Sequence, residues 1–309
     1  MVTRVLLDCD PGHDDAIAIL LALASPEVEL VGVSTVAGNQ TIENTTANAI
    51  RVLDHLGRTD VPVARGAGRP LVRDRRVAAD VHGETGLDGS ELPDAARAPL
   101  EAHAIDWLAA TLAAEPEPAT LVATGPLTNV ALLLARHPEI EARIGRLVLM
   151  GGAIGEGNVT PAAEFNIWAD PEAAHRVFTS DLDVTMVGLD VTHRALLRPA
   201  AVERLAAGGP AGQLAARLYG FYMRFHRGRY GWDGAPVHDA VALAHVIDPT
   251  LLELVDCGVV VDTGGELSRG RTYVDRWGAA GWPPRHHVAT GVDAPRLLDL
   301  LVGRIAALG

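Results

Sequence analysis

The feature that most limits how this chain can fold is Asp8-Cys9-Asp10-Pro11-Gly12-His13-Asp14-Asp15, four carboxylates in eight residues between an apolar strand and an apolar helix. Val5-Leu6-Leu7 before it and Ala16 to Leu23 after it carry the cluster into a buried setting, where ionised side chains repel one another and are poorly solvated. A compact state must neutralise them with protons, basic partners or a bound cation. Asp8 and Asp10, two apart at a strand end, are expected on one side of the strand, and Asp14 and Asp15 open the next helix. One aspartate at such a place is an ordinary helix cap. Four of them around a Pro-Gly bend point to a cation, because the bend brings both pairs to one place. Oxygen ligands without a cysteine or histidine set favour Ca²⁺ or Mg²⁺ over zinc, and the crowding favours calcium, which takes about six to eight oxygens.

Composition narrows the partners. The 309 residues are 48% hydrophobic, enough for a sizeable core, and 39 acidic residues against 26 basic ones, all arginine, give a formal charge of −13. That charge opposes attraction to nucleic acid and to anionic membranes. Cys9 and Cys257 are the only cysteines, without a CxxC pair or a zinc-type spacing, so the reducing cytoplasm is the expected compartment. The first strand starts within three residues of the N-terminus, so no secretory leader is expected, and no stretch is apolar and long enough to span a bilayer.

Short β-branched runs alternate with helical segments, which predicts a single α/β domain over residues 1–309 with a mostly parallel, Rossmann-like central sheet flanked by helices. Strands are expected at Arg4 to Leu7, Val28 to Thr35, Thr120 to Thr124, Arg146 to Met150, Val184 to Leu189 and Cys257 to Val261. Helices are expected at Asp14 to Ala24, Ile42 to Leu56, His103 to Ala114, Leu127 to Arg136, Pro171 to Thr179, Gln213 to Arg227 and His238 to Val246. Arg65 to Pro99, rich in Gly, Pro and charge, is too long for a plain connector and reads as a functional loop. Ligands of parallel sheets collect at the carboxyl ends of strands. Asp8, Asp10, Asn39, Thr124 and Met150 all follow or end expected strands and should share one rim.

Four weaker constellations accompany the cluster. Gly38-Asn39-Gln40 follows a strand and is by itself a turn. Gly151 to Asp170 holds Glu156, Asn158, Glu164, Asn166 and Asp170, a set of amide and carboxylate groups suited to gripping a polyhydroxylated sugar. His238-Asp239 opens an apolar helix; Asp239 can cap it, and His238 is the side-chain type best suited to donate a proton near neutral pH. His82 lies in the long loop.

Taken together, DCDPGHDDA, Asn39, Thr124-Gly125-Pro126-Leu127-Thr128-Asn129, Met150-Gly151-Gly152, Glu164-Phe165-Asn166 and His238-Asp239 resemble, in order, the inosine-uridine preferring nucleoside hydrolases. The resemblance implies cleavage of the N-glycosidic bond of ribonucleosides to free base and ribose with one bound Ca²⁺, in nucleoside salvage, by a homo-oligomer, either homodimer or homotetramer. By position it implies that Asp10, Asp15, the Thr124 carbonyl and Asp239 ligate calcium, with Asp10 also the general base toward the attacking water. Asp14, Asn39, Met150, Asn158, Glu164 and Asn166 would hold the ribose. Phe165, His82 and His238 would face the substrate, with His238 the acid for the departing base, and Asp8 would support the site from behind. The stretch from Tyr219 to Tyr230 should meet the base, and helical spacing puts Tyr222 and His226 on one face with Tyr230 beyond them. It does not decide between purine and pyrimidine. The rivals are a hydrolase of a modified nucleoside, a calcium-dependent sugar-binding protein without turnover, and a metallophosphatase, for which the first strand lacks a basic phosphate clamp.

Overall fold

The alternation of strands and helices is visible throughout a computed structural model that describes residues 2–309. Its strands are β1 (Thr3–Cys9), β2 (Val28–Thr35), β3 (Val63–Arg65), β4 (Ala119–Ala123), β5 (Ile144–Met150), β6 (Val184–Val187), β7 (Leu196–Leu197), β8 (Ala235–Pro236), β9 (Leu252–Val261), β10 (Thr272–Asp275) and β11 (His286–Val292). Among the described residues they build a nine-stranded sheet in the order β10-β9-β11-β6-β5-β4-β1-β2-β3 and a separate ribbon of β7 and β8. From β11 to β3 neighbouring strands are parallel, while β9 runs antiparallel to both β10 and β11.

Period-two alternation divides the apolar residues between two cores. Val5 and Leu7 of β1, Val122 of β4 and Val148 of β5 join one; Leu6, Leu121, Ala123, Leu147 and Leu149 join the other. Central strands buried on both faces need apolar residues at every position, which is why these runs stand out in the sequence. The helix His13–Leu23 is buried from His13 to Ala22 and packs between the helices His238–Ile247 and Pro210–Tyr230. Two of the three elements that meet there therefore begin with candidate site residues.

The chain leaves β1 toward β2 and β3, then returns to β4, β5 and β6 on the other side. This reversal between β1 and β4 is the place where an open parallel sheet leaves a crevice at its carboxyl edge. Asp10 follows β1 and Thr124 follows β4, and the Thr124 N–H donates to the Asp8 carbonyl at 2.8 Å to hold the two strand ends together.

Every expected strand and helix is present, with ends shifted by a few residues. β3, β10, β11 and the helices Pro199–Ala206 and Ala294–Ala307 were not expected. β3 is only three residues long, and β11 opens with His286-His287 and contains Gly291, so neither shows a β-branched run. Their pairing with β2, β6 and β9 forms them. Ala294–Ala307 did carry a local signal, since Asp293 caps it and Pro295 stands in its first turn. The loop from Arg65 to Pro99 contains the short helix Ala79–His82 and is tied down by Asn48, whose amide donates to Pro11 O and Thr85 O at 3.0 and 2.8 Å.

Asn129 fastens the switch point from below. Its Nδ2 donates to Asp8 Oδ1 at 2.7 Å and to the Thr35 carbonyl at 2.9 Å, and its Oδ1 accepts from Ala67 N at 2.8 Å, all out of solvent. Asn129→Ala removes three buried hydrogen bonds and leaves the Ala67 N–H without a partner, while Asp8 Oδ1 keeps Ser34 Oγ and the Thr35 carbonyl keeps the Gly66 N–H; we expect a loss of about 2–4 kcal/mol of stability. Urea unfolding checks this; a midpoint unchanged from wild type would show that the lost hydrogen bonds are replaced.

Candidate active site

A cavity of about 740 Å³ opens at the carboxyl edge of the sheet. Asp14 and Asp239, the first-turn carboxylates of two packed helices, form its floor, and with Asp15 they place one oxygen each within 4.8 Å of one another. The sequence reading placed Asp14 on the ribose; here it stands in the tightest carboxylate group, while Asp10 lies just outside that trio. Gly12, not an aspartate, is the N-cap of His13–Leu23, and Asp15 reaches back to accept its N–H at 3.0 Å. Asp15 also accepts from Asn39 Nδ2 at 3.1 Å, Thr124 Oγ1 at 2.8 Å and Asp10 N at 3.3 Å. A capping role and a cluster role thus coexist in one side chain.

Asp10 is fully buried, and its Oδ2 accepts the Asn39 N–H at 2.6 Å. Backbone packs so closely on this carboxylate that a Cβ at Gly125 would come to 2.7 Å from Oδ1, and one at Gly38 would collide with Oδ2. Two buried oxygens, Asp10 Oδ1 and Asp14 Oδ1, have no protein partner. Buried acceptors without donors are rare and costly. Asp8 does not bond to this group; its Oδ1 accepts from Ser34 Oγ at 2.5 Å and from Asn129.

The electrostatics follow from crowding. Burial, then the Asp15 charge, holds the Asp10 carboxyl well above its ordinary range; burial and the same neighbour push Asp14 up to about 8. Asp239 is raised well above the usual value by burial, then by Asp14 and Asp15. Burial lifts Glu164 to about 7 although the N–H groups of Asn166, Gly152 and Ile167 oppose it. Without a compensating cation this floor holds protons.

One wall suits a sugar. Glu164 caps the helix Phe165–Ala169, accepting from Asn166 N at 2.8 Å, Ile167 N at 3.1 Å and Gly152 N at 2.9 Å. Asn166 Nδ2 donates to the carbonyls of Thr124 at 2.7 Å and Met150 at 3.1 Å, and Asn158 Oδ1 accepts from Phe165 N at 2.9 Å. Asn39, Thr124, Met150, Asn158, Glu164, Phe165 and Asn166 all face the cavity.

The opposite wall is aromatic. His82, Tyr222, His226, Tyr230 and His238 line it. Rings follow one another from Phe221 over His13 (5.0 Å, 4°) and Tyr222 (5.5 Å from His13) to His226 (4.4 Å), then Trp232 (5.8 Å) and His193 (5.0 Å), which lies 5.5 Å from His238. His13 N and His13 Nδ1 both lie 3.2 Å from His82 Nδ1, and His13 Nε2 meets the Asp88 carbonyl at 3.0 Å. Burial, then neighbouring histidines, holds His82 and His238 well below the ordinary range, so both rings are neutral.

The sequence did not single out His193, which lines the cavity, nor His13, Thr192 and Trp232, which pack behind its aromatic wall. His13 sits inside the acidic motif and was open to assignment; Thr192 and His193 follow β6 with no local pattern around them. The rim also carries Arg73, Arg76, Arg229 and Arg269, scattered along 197 positions of sequence and therefore without a motif.

Known proteins resemble this chain in sequence and fold. A profile of the inosine-uridine preferring nucleoside hydrolases matches residues 5–299. Pyrimidine-specific ribonucleoside hydrolases RihA from Klebsiella pneumoniae and Escherichia coli are each 49% identical, over 99% of both chains. Among solved structures, a plant nucleoside hydrolase superposes with a TM-score of 0.95 at 34% identity, covering 99% of this chain and 100% of its own. A purine-preferring ribonucleoside hydrolase from Gardnerella vaginalis does so with 0.93 at 36%, covering 98% of each. The buried carboxylate floor between an amide-rich wall and an aromatic wall is thus that of a metal-dependent N-ribosyl hydrolase, and the chain belongs to the inosine-uridine preferring nucleoside hydrolase family.

Proposed function

We propose that this enzyme hydrolyses pyrimidine ribonucleosides in a calcium-dependent reaction with Asp10 as general base. The observation that carries the reading is the floor itself: carboxylates delivered by β1 and by two helix starts, with Asp10 Oδ1 and Asp14 Oδ1 buried and unpartnered. This oxygen-only donor set fits a hard cation. Asp10, Asp15, Asp239 and the Thr124 carbonyl would hold it, with Asp14 close enough to share the task. When bound, calcium supplies positive charge that makes a water more acidic and fixes two neighbouring hydroxyls.

The chain's own groups divide the rest of the work. Asp14, Asn39, Met150, Asn158, Glu164 and Asn166 orient the ribose, and Asp10 takes one proton from the attacking water as its oxygen bonds to C1′. The C1′–N bond breaks with its electron pair going to the base, leaving an oxocarbenium-like ribosyl centre that the surrounding carboxylates stabilise. The ring N–H of His238 donates a hydrogen bond to the departing base, which His82, Phe165, Tyr222, His226 and Tyr230 enclose and which takes its proton from solvent as it leaves. The names of the 49%-identical relatives support pyrimidines over purines. Both cysteines are buried and free, in keeping with cytoplasmic salvage, and no helix among the described residues is long and apolar enough to cross a membrane. A homodimer or homotetramer is part of the same reading.

Released ribose, measured with cytidine, uridine and inosine, tests the assignment. Cytidine and uridine should turn over fastest; a protein that binds them and releases no ribose is a binder and not this enzyme. Asp10→Asn removes the base while keeping the shape, and kcat should fall by about 10³-fold. Near-normal turnover in that variant would move the base elsewhere.

The cation has its own signature. The cluster carboxyls are raised in the folded protein, Asp14 from the ordinary 3.8 to about 8, so the cation-free fold keeps protons that the unfolded chain releases. The associated stability is present at acid pH and is lost as pH rises from about 4 through 8. With chelator, the unfolding temperature should therefore drop between pH 5 and pH 8. Calcium at a hundred times Kd should add about 2.7 kcal/mol at pH 8 and less at pH 5, where protons compete. An equal shift at both pH values would separate calcium from the carboxylates.

A further inference from the structure

His238 is the first residue of its helix, and only one side-chain hydrogen bond among the described residues fixes its ring. Thr192 Oγ1 lies 2.8 Å from His238 Nδ1, and the Thr192 side chain is fully buried. That leaves Nε2 as the polar edge of the ring toward the cavity it lines.

The fold invests several contacts in this distance. Thr192 ends the helix Leu189–Thr192, which follows β6. Asp190 of the same helix accepts Ile154 N at 2.7 Å and Gly155 N at 3.0 Å, anchoring it to the loop beyond β5. On the other side the ribbon of β7 and β8 pairs Leu196 with Pro236, and Val237 N donates to the Ala195 carbonyl at 3.1 Å. The two-stranded ribbon therefore clamps the residues just after Thr192 to those just before His238. His193, with its ring tilted 60° to His238, closes the remaining side.

We propose that Thr192 is a positioning residue for His238: its hydroxyl donates to Nδ1, sets the ring plane and keeps the ring hydrogen on Nε2, aimed at the leaving nucleobase. The inference rests on the donor role given to His238 above. An Nδ1 that accepts from the Thr192 hydroxyl carries no hydrogen, which places the ring's hydrogen on Nε2. The electron pair of the glycosidic bond then moves onto a base that already accepts an N–H hydrogen bond from the correct side. Without the hydroxyl, the ring populates the other tautomer and other rotations, and only a fraction of molecules presents Nε2–H.

Calcium-loaded enzyme is assayed with cytidine and uridine as wild type, Thr192→Val, Thr192→Ser, His238→Ala and the double variant Thr192→Val/His238→Ala. His238→Ala should lose about 10²-fold in kcat and Thr192→Val about tenfold, with KM within twofold of wild type and Thr192→Ser restored to within about threefold. The double variant should be no slower than His238→Ala. On 4-nitrophenyl riboside, whose leaving group departs as a stable anion, Thr192→Val should match wild type. Histidine ¹⁵N spectra of wild-type protein should show His238 protonated at Nε2 and accepting at Nδ1, and this reading needs no variant to fold. If His238→Ala is impaired while Thr192→Val is not, or if wild-type His238 carries its hydrogen on Nδ1, the positioning role is overturned. An equal loss on 4-nitrophenyl riboside overturns it too. If His238→Ala retains full activity, the donor role itself fails, and the inference fails with it.

Discussion

Repulsion among buried carboxylates is the constraint around which the rest of this structure is arranged. Asp14, Asp239 and Glu164 line the cavity with Asp10 and Asp15 buried beside them, and no arginine among the described residues is hydrogen-bonded to any of these carboxylates. What the chain supplies instead is fixed dipoles: the N–H groups of Gly12, Asn39, Gly152, Asn166 and Ile167, the hydroxyl of Thr124 and the amide of Asn39. Such donors moderate the charge without cancelling it. A buried group of carboxylates moderated only by dipoles favours a positive charge placed among them.

The topology explains how the carboxylates can be held so close. Strand order reverses between β1 and β4, so the residues after these strands border one crevice. The helix after β1 and the helix His238–Ile247 pack side by side and start at the same level, which brings Asp14 and Asp15 against Asp239 across more than 220 positions. Neighbouring strands and helices do the assembly. Asp8, buried and bonded to Ser34 and Asn129, uses its carboxylate to keep β1, β2 and the loop at Ala67 in step beneath the site.

Much of this was legible in the residues. The central strands are continuous apolar runs because both faces are covered, and the acidic motif stands out because four charges at a strand-helix junction have few structural uses. The edge of the sheet was not legible: β11 reads His286-His287-Val288-Ala289-Thr290-Gly291-Val292 and owes its extended form to β6 and β9. In the site, Glu164 and Asn166 were readable as a polar pair close in sequence. Thr192 was not, since its meaning lies in one hydrogen bond across 46 positions. The order within the cluster also escaped the sequence, because spacing shows that Asp14 and Asp15 share a turn but not that Asp14 faces Asp239.

His13 belongs to two parts of the molecule at once. It lies between Asp10 and Asp14 in the chain, yet its ring stacks on Phe221 and Tyr222 and its N–H holds His82. The aromatic wall and the loop that carries the acidic cluster are therefore joined through one side chain. A lineage that remodels the helix Pro210–Tyr230 must keep a partner for His13 or shift the loop that carries Asp10. Changes to the aromatic wall and changes to the acidic cluster are in this way inherited together, each filtered by what the other tolerates.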